Sequence, residues 1–284
     1  MTRRRPPSSA SADDLLATLK RLTAQARQGV ELQRARVDLA EALQRDMLPS
    51  GLPARPGLRT AARYAPARDG LDIGGDWFDG FVMHDGSLGF SIGDVQGHDV
   101  EAAAYMGQIR FGLRAVAIAS TDPGVVLSRA NDLLVSVARD LFATCTFVRF
   151  DAVDWLIESA RAGHVPAVWA TDDGRSGAAQ DEGGLPLGVQ PGEEYPVTRR
   201  RLTRAGAFVL LTDGVIEGPT VPLDAGLDRV IRLVGQGAAA GADADELAAE
   251  VMTAAEFTAH KDDAAVLVLR HDAAAPPTSN GRVG

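Results

Sequence analysis

Residues 76–94 read Asp76-Trp-Phe-Asp-Gly-Phe-Val-Met-His-Asp85-Gly86-Ser-Leu88-Gly-Phe-Ser-Ile-Gly-Asp94. Residues 76–83 and 88–95 are short, largely apolar runs, and the Asp85-Gly86 pair between them suits a tight hairpin turn. Two strands joined in this way are antiparallel, because a parallel pair needs a long crossover connection. The stretch is framed by Gly74-Gly75-Asp76 and Gly93-Asp94-Val95. Glycines beside a carboxylate let the backbone come close to a ligand.

Two further stretches set Asp beside an apolar run. They are Ala207-Phe-Val-Leu-Leu-Thr-Asp213-Gly214, and Lys261-Asp262-Asp263 ahead of Ala264-Ala-Val-Leu-Val-Leu269. Any one of the four is explained by a turn-forming or capping Asp. Together, each beside a strand, they point to carboxylates that converge through the fold. Unpaired carboxylates so gathered repel one another strongly unless cations neutralise them. Oxygen-rich clusters of this kind suit Mg²⁺ or Mn²⁺.

The other strand candidates are 58–64, 142–150, 155–161, 167–170, 207–212 and 264–270. Helical patterns occupy 100–120, 123–139, 225–235 and 243–260. Hairpin-linked strands with clustered helix pairs predict an α+β sandwich of antiparallel sheets with helices outside, in preference to a parallel βαβ fold. A further helical pattern runs from Asp13 to Met47. Leu15, Leu19, Leu22 and Ala26 recur at helical spacing; Leu32, Ala35, Leu39 and Leu43 resume it after Gly29, shifted as by a stutter or kink. Its apolar face is too narrow to stand alone in water, so it is expected to pack on the body or pair with another chain. The expected organisation is a disordered tail at 1–12, a helical segment at 13–48, one large domain at 49–271 and a disordered tail at 272–284.

Of the 284 residues, 45% are hydrophobic and only 5% aromatic, so the core is mostly aliphatic. Nine Lys/Arg against five Asp/Glu leave residues 1–45 at +4; with −9 overall, the remainder carries −13. Such an acidic body argues against general nucleic-acid binding. The single cysteine, Cys145, precludes a disulfide within the chain and reads as a buried, inert thiol. Arg3-Arg4-Arg5 leads into Pro-Pro-Ser-Ser instead of an apolar h-region, and no apolar run approaches the roughly 18 residues of a membrane span. A cytoplasmic protein without a membrane partner is expected.

Leu43-Gln-Arg-Asp-Met-Leu-Pro49, residues 73–79 and 92–98, Arg161-Ala-Gly-His-Val-Pro166, Gly184-Leu-Pro-Leu-Gly188, Leu211-Thr-Asp-Gly-Val-Ile-Glu217 and residues 262–269 form an ordered set. In content and order they resemble the metal-dependent (PPM-type, or type 2C) Ser/Thr protein phosphatases, specifically the bacterial SpoIIE-like branch. The resemblance covers residues 43–270. It implies an αββα sandwich with two Mn²⁺ or Mg²⁺ ions between the sheets. Carried over residue by residue, it implies that Asp94 bridges both ions, with the Val95 backbone carbonyl assisting one. Asp213 and Asp262 would ligate the other, Asp76 would bind directly or through a water, and Asp263 would be a neighbour. Gly75, Gly97, His98, His164, Gly214 and Asp263 would line the site. The implied chemistry is hydrolysis of phosphoserine or phosphothreonine by a bimetal-activated water, with Asp94 and Asp213 acting through the metals and no side-chain nucleophile.

Some positions depart from the family pattern. Asp99 stands where many branch members have Gly, and Gln96 replaces a more usual apolar residue. Eukaryotic relatives place a His, proposed as general acid, at the position that Gln96 resembles, so the acid role is open. His164 sits where those relatives have an Asp, and reads as a pocket-lining or loop-fixing side chain. The branch implies a phosphorylated STAS-domain anti-sigma-factor antagonist as substrate in a partner-switching pathway, an upstream sensor or activator, and a homodimer through residues 13–48. Two alternatives share the residues: a two-metal phosphoesterase acting on small molecules, and a weakly active or non-catalytic binding module of the same fold.

Overall fold

The computed structural model describes residues 12–66, 74–97, 100–137, 141–258 and 262–273. In chain order the elements begin with α1 (Ala12–Met47), β1 (Leu58–Ala65), β2 (Trp77–Val82), β3 (Leu88–Val95), α2 (Val100–Ala117) and α3 (Pro123–Ser136). They continue with β4 (Ala143–Asp151), β5 (Leu156–Ala162), β6 (Val168–Thr171), β7 (Ser176–Ala178), β8 (Thr198–Arg201) and β9 (Gly206–Leu211). The last are α4 (Asp213–Ile216), α5 (Leu223–Ala240), α6 (Ala244–Thr258) and β10 (Ala264–His271). One sheet has the order β1-β10-β9-β6-β7, the other β2-β3-β4-β5-β8, and every pairing is antiparallel.

The β2–β3 hairpin closes as its Asp-Gly pair predicts. Met83 N–H donates to the Ser87 carbonyl at 2.8 Å, and Gly86 adopts φ +85°, a left-handed conformation open to glycine. Alternating side chains then sort the chain into layers. On β9, Val209 and Leu211 face α5 and α6, while Phe208 and Leu210 face the other sheet. On β4, Cys145 and Phe147 face α2 and α3, while Val148 and Phe150 face inward. Both faces of these strands are therefore buried, which is why they read as nearly continuous apolar runs. The result is an α+β, αββα sandwich. Asp79, fully buried on β2, is neutralised by α2: Arg114 Nε and Nη2 each donate to it at 2.7 Å.

Several boundaries differ from the sequence expectations. Helix α1 is continuous through Gly29, which is exposed and meets no neighbour, so no kink is needed. Helix α5 runs to Ala240, beyond the expected end at Gly235. Gly235 and Gly237 are packing positions: an added Cβ would lie 2.6 Å from Ser176 Oγ and 2.5 Å from Leu247 Cδ2. Strands β7 and β8 were not expected, the first being three residues long and the second reading Thr-Arg-Arg-Arg at a sheet edge. The tails at 1–11 and 274–284, and the expected helix ends at Arg139 and His260, lie outside the described residues. Cys145 is buried, and burial pushes its thiol pKa up, as an inert thiol requires.

Candidate functional site

Each sheet delivers acidic residues to the same end of the sandwich. From one come Asp76, just ahead of β2, and Asp94, at the end of β3; the register Trp77↔Gly93 sets them side by side. From the other come Asp213, which follows β9 and opens α4, and Asp262 and Asp263, which lead into β10. The register Leu211↔Val266 and a 3.0 Å bond from Thr212 N–H to the Ala265 carbonyl bring these two together.

The side chains are held by protein donors. Thr212 Oγ1 donates to Asp76 Oδ2 at 2.7 Å and accepts from Ala265 N–H at 2.9 Å, so it links the two sheets. The Tyr64 hydroxyl, at the end of β1, donates to Asp263 Oδ2. Asp262 Oδ1 accepts from Asp263 N–H at 2.9 Å. Glycine is needed where the strands close on the cluster. A Cβ on Gly74 would lie 1.0 Å from Asp263 Oδ2, and one on Gly75 would lie 2.4 Å from the Val95 carbonyl oxygen.

The electrostatics are those of crowded carboxyl groups, three of them raised by burial. Asp94 is pushed up to about 8 by burial and then by Asp213 and Asp262. Asp76, 2% exposed, is raised well above the carboxylate range by burial and by Asp94 and Asp263, against the lowering effect of Thr212. Asp213 is raised by burial and by Asp262. The Tyr64 hydroxyl is raised by burial and by Asp263, so it stays protonated as a donor. No positive side chain figures among the leading influences on Asp76, Asp94 or Asp213. This donor set, hard oxygens in surplus negative charge around glycine-narrowed backbone, fits divalent cations. Among the described residues no three of the side chains close into a ready-made cage; it is the backbone that gathers them.

The remaining expected positions separate. Gly214 packs against Asp263, and a cleft of about 460 Å³ beside it is lined by Asp213, Gly214, Glu217, Gly218, Pro219 and Asp262. Gly97 is exposed with φ +106°, and Gln96 is exposed with its N–H donating to the Phe142 carbonyl at 3.0 Å. His98 and Asp99 lie outside the described residues. His164 is buried at 4% exposure, with its ring engaged by Thr144 and Leu211 instead of any carboxylate. Tyr64 and Thr212 were missed by the sequence reading. Their partners lie 199 and 136 residues away, so no local pattern marks them. The position of Thr212 directly before Asp213 was the one available signal.

Comparison with known proteins shows the family and the fold. The family model described as Stage II sporulation protein E (SpoIIE) matches residues 84–272, a span that includes Asp94, Asp213, Asp262 and Asp263 and begins after Asp76. The phosphoserine phosphatase RsbU of Bacillus subtilis is 24% identical over 185 residues, covering 65% of this chain and 54% of RsbU. The structure of the RsbU and RsbW domains of Rv1364c from Mycobacterium tuberculosis is 30% identical with a TM-score of 0.71, covering 81% of this chain and 64% of that one. The PP2C phosphatase domain and regulatory fragment of SpoIIE from Bacillus subtilis matches with a TM-score of 0.63 at 20% identity, covering 77% and 64% of the two chains. The chain thus spans about half the length of RsbU and under two thirds of each of these structures.

Proposed function

We infer the function from one premise: this chain belongs to the SpoIIE family and has the PP2C-type phosphatase fold. We propose that it is a Mn²⁺- or Mg²⁺-dependent phosphatase acting on phosphoserine or phosphothreonine in a protein. The observation that carries this reading is the convergence of Asp76 and Asp94 from one sheet on Asp213, Asp262 and Asp263 from the other, with burial and neighbouring carboxylates raising Asp76, Asp94 and Asp213. Two divalent cations, when bound, would supply a water of lowered pKa and positive charge for the phosphoryl oxygens. Asp94 with the Val95 carbonyl, and Asp213 with Asp262, would hold them. Asp76, oriented by Thr212, would reach them directly or through water, and Tyr64 would fix Asp263 beside them. The cleft along Asp213, Glu217 and Pro219 gives a phosphorylated side chain its approach.

The substrate proposed is a phosphorylated STAS-domain antagonist of an anti-sigma factor, within a cytoplasmic partner-switching pathway. Support comes from RsbU, named a phosphoserine phosphatase, and from the pairing of RsbU and RsbW domains in Rv1364c. Among the described residues no helix is long and apolar enough to cross a membrane. Turnover of para-nitrophenyl phosphate should require added Mn²⁺ or Mg²⁺. A phosphorylated STAS protein should then exceed nucleotide substrates in kcat/KM by roughly 100-fold, because contacts remote from phosphorus contribute to the transition state. Metal-independent turnover, or a preference for nucleotides, contradicts the proposal.

Helix α1 is proposed to form a homodimer and to receive the signal of an upstream sensor or activator. Leu16, Leu19, Leu22, Val30 and Leu32 on it are each more than half exposed, while Met47 at its end packs against Gly107 of α2. An exposed apolar stripe on a helix gains stability by pairing. Removal of residues 1–42 should lower the solution mass from dimer to monomer. If neither mass nor phosphatase activity changes, the idea fails.

A further inference from the structure

Two of the sequence stretches, 161–166 and 184–188, supply no carboxylate to the cluster, yet they meet at the turn that precedes one buried ring, that of His164. Gly163 turns with φ +64°, a left-handed conformation, and a Cβ there would lie 2.6 Å from Pro186 Cγ. Its N–H donates to the Gly184 carbonyl at 2.9 Å. Arg161 secures the turn: Nη1 donates to the His164 carbonyl at 2.6 Å and Nη2 to the Asp181 carbonyl at 2.8 Å. The imidazole of His164 is aimed by this scaffold.

That ring bridges the sheets. A carbonyl only accepts, so Nε2 carries the proton and donates to the Leu211 oxygen at 3.0 Å. In the neutral ring Nδ1 then accepts from the Thr144 hydroxyl at 2.8 Å. Thr144 on β4 is the register partner of Asp94 on β3. Leu211 ends β9, two residues before Asp213. Both hydrogen bonds therefore end beside a carboxylate proposed as a ligand, one on each sheet. Thr212–Asp76 makes a second link across the sheets at the same end.

We propose that His164 is a positioning residue: by tying Thr144 on one sheet to Leu211 on the other, it sets the separation of Asp94 from Asp213. Carboxylates that repel one another hold a useful spacing only if the elements carrying them are tied. Partners beyond the ligands govern metal affinity in this way. The inference rests on the reading of the cluster as a metal site.

Titration calorimetry of the full chain with Mn²⁺ tests it, using His164→Leu, His164→Gln and Thr144→Val. Leu removes both hydrogen bonds, Gln can restore a donor and an acceptor, and Val deletes the hydroxyl alone. His164→Leu should weaken Mn²⁺ binding by about 10- to 100-fold. Thr144→Val should weaken it less, and His164→Gln should recover most of the loss. Thermal unfolding without metal shows that each variant is folded. Wild-type affinity in His164→Leu, or a loss in His164→Gln as large as in His164→Leu, overturns the proposal. Should His164→Leu not fold, Thr144→Val decides, and unchanged affinity there overturns it equally. A wild-type chain that binds no Mn²⁺ refutes the metal site itself, a failure distinct from that of the brace.

Discussion

Asp94→Asn is expected to lower metal-dependent phosphatase turnover on the order of 1,000-fold while making the metal-free protein more stable. The two effects share one cause. Asp94 sits among Asp76, Asp213, Asp262 and Asp263, and its pKa is pushed up to about 8 by burial and by Asp213, Asp262 and Asp263, against the lowering effect of a hydrogen bond with Asp76. In the unfolded chain the same carboxyl ionises near its ordinary value of 3.8. The folded state thus keeps a proton that the unfolded state has lost. Stability from this group is complete below about pH 4 and disappears as pH rises through about 8. Asn does not titrate, so the variant should lose this slope. At pH 8, without metal, it should gain about 2 kcal/mol, or roughly 4–8 °C in Tm. Thermal scans from pH 5 to 8 with and without Mn²⁺, beside turnover of para-nitrophenyl phosphate, measure both. Retained metal-dependent turnover sinks the assignment of Asp94; a less stable variant at pH 8 sinks the picture of a repulsive cluster.

Gly214→Ala is expected to destabilise the fold by about 3–5 kcal/mol and to abolish activity with it. A Cβ at residue 214 would lie 1.9 Å from the Asp263 carbonyl oxygen. That atom is backbone at the entry to β10, so relief requires moving the chain that carries Asp262 and Asp263. Gly86→Ala is the control. Gly86 has φ +85° and nothing within 4 Å of an added Cβ, so only the left-handed conformation is penalised, at about 1 kcal/mol. Urea unfolding compares the two. Equal midpoints would show that the β9–α4 turn can yield, and that its closeness to Asp263 does not hold the site together.

These two positions show how much of the molecule was legible in one dimension. The hairpin at 76–94 was readable because its signals are local: two apolar runs and an Asp-Gly turn whose glycine takes φ +85°. Strands β9 and β10 were readable because burial on both faces requires unbroken apolar runs. Where local propensity and packing disagreed, the expectation missed. Gly235 read as a helix end, but it and Gly237 are the small residues that let α5 approach Ser176 and Leu247. Strand β8 was not expected, because an edge strand has a solvated side and needs no apolar alternation there.

The carboxylates mark the same division. Their types, their adjacent glycines and their places at strand ends are local properties, and they stand in the primary structure. Which of them share a site, and what holds them, is decided by contacts between residues far apart in the chain. Thr212 reaches Asp76 across 136 residues and Tyr64 reaches Asp263 across 199. His164 joins strands that belong to different sheets. Such contacts leave no periodicity, because either partner alone could equally cap a turn or face water; the stacking of the two sheets is what brings them within bonding distance.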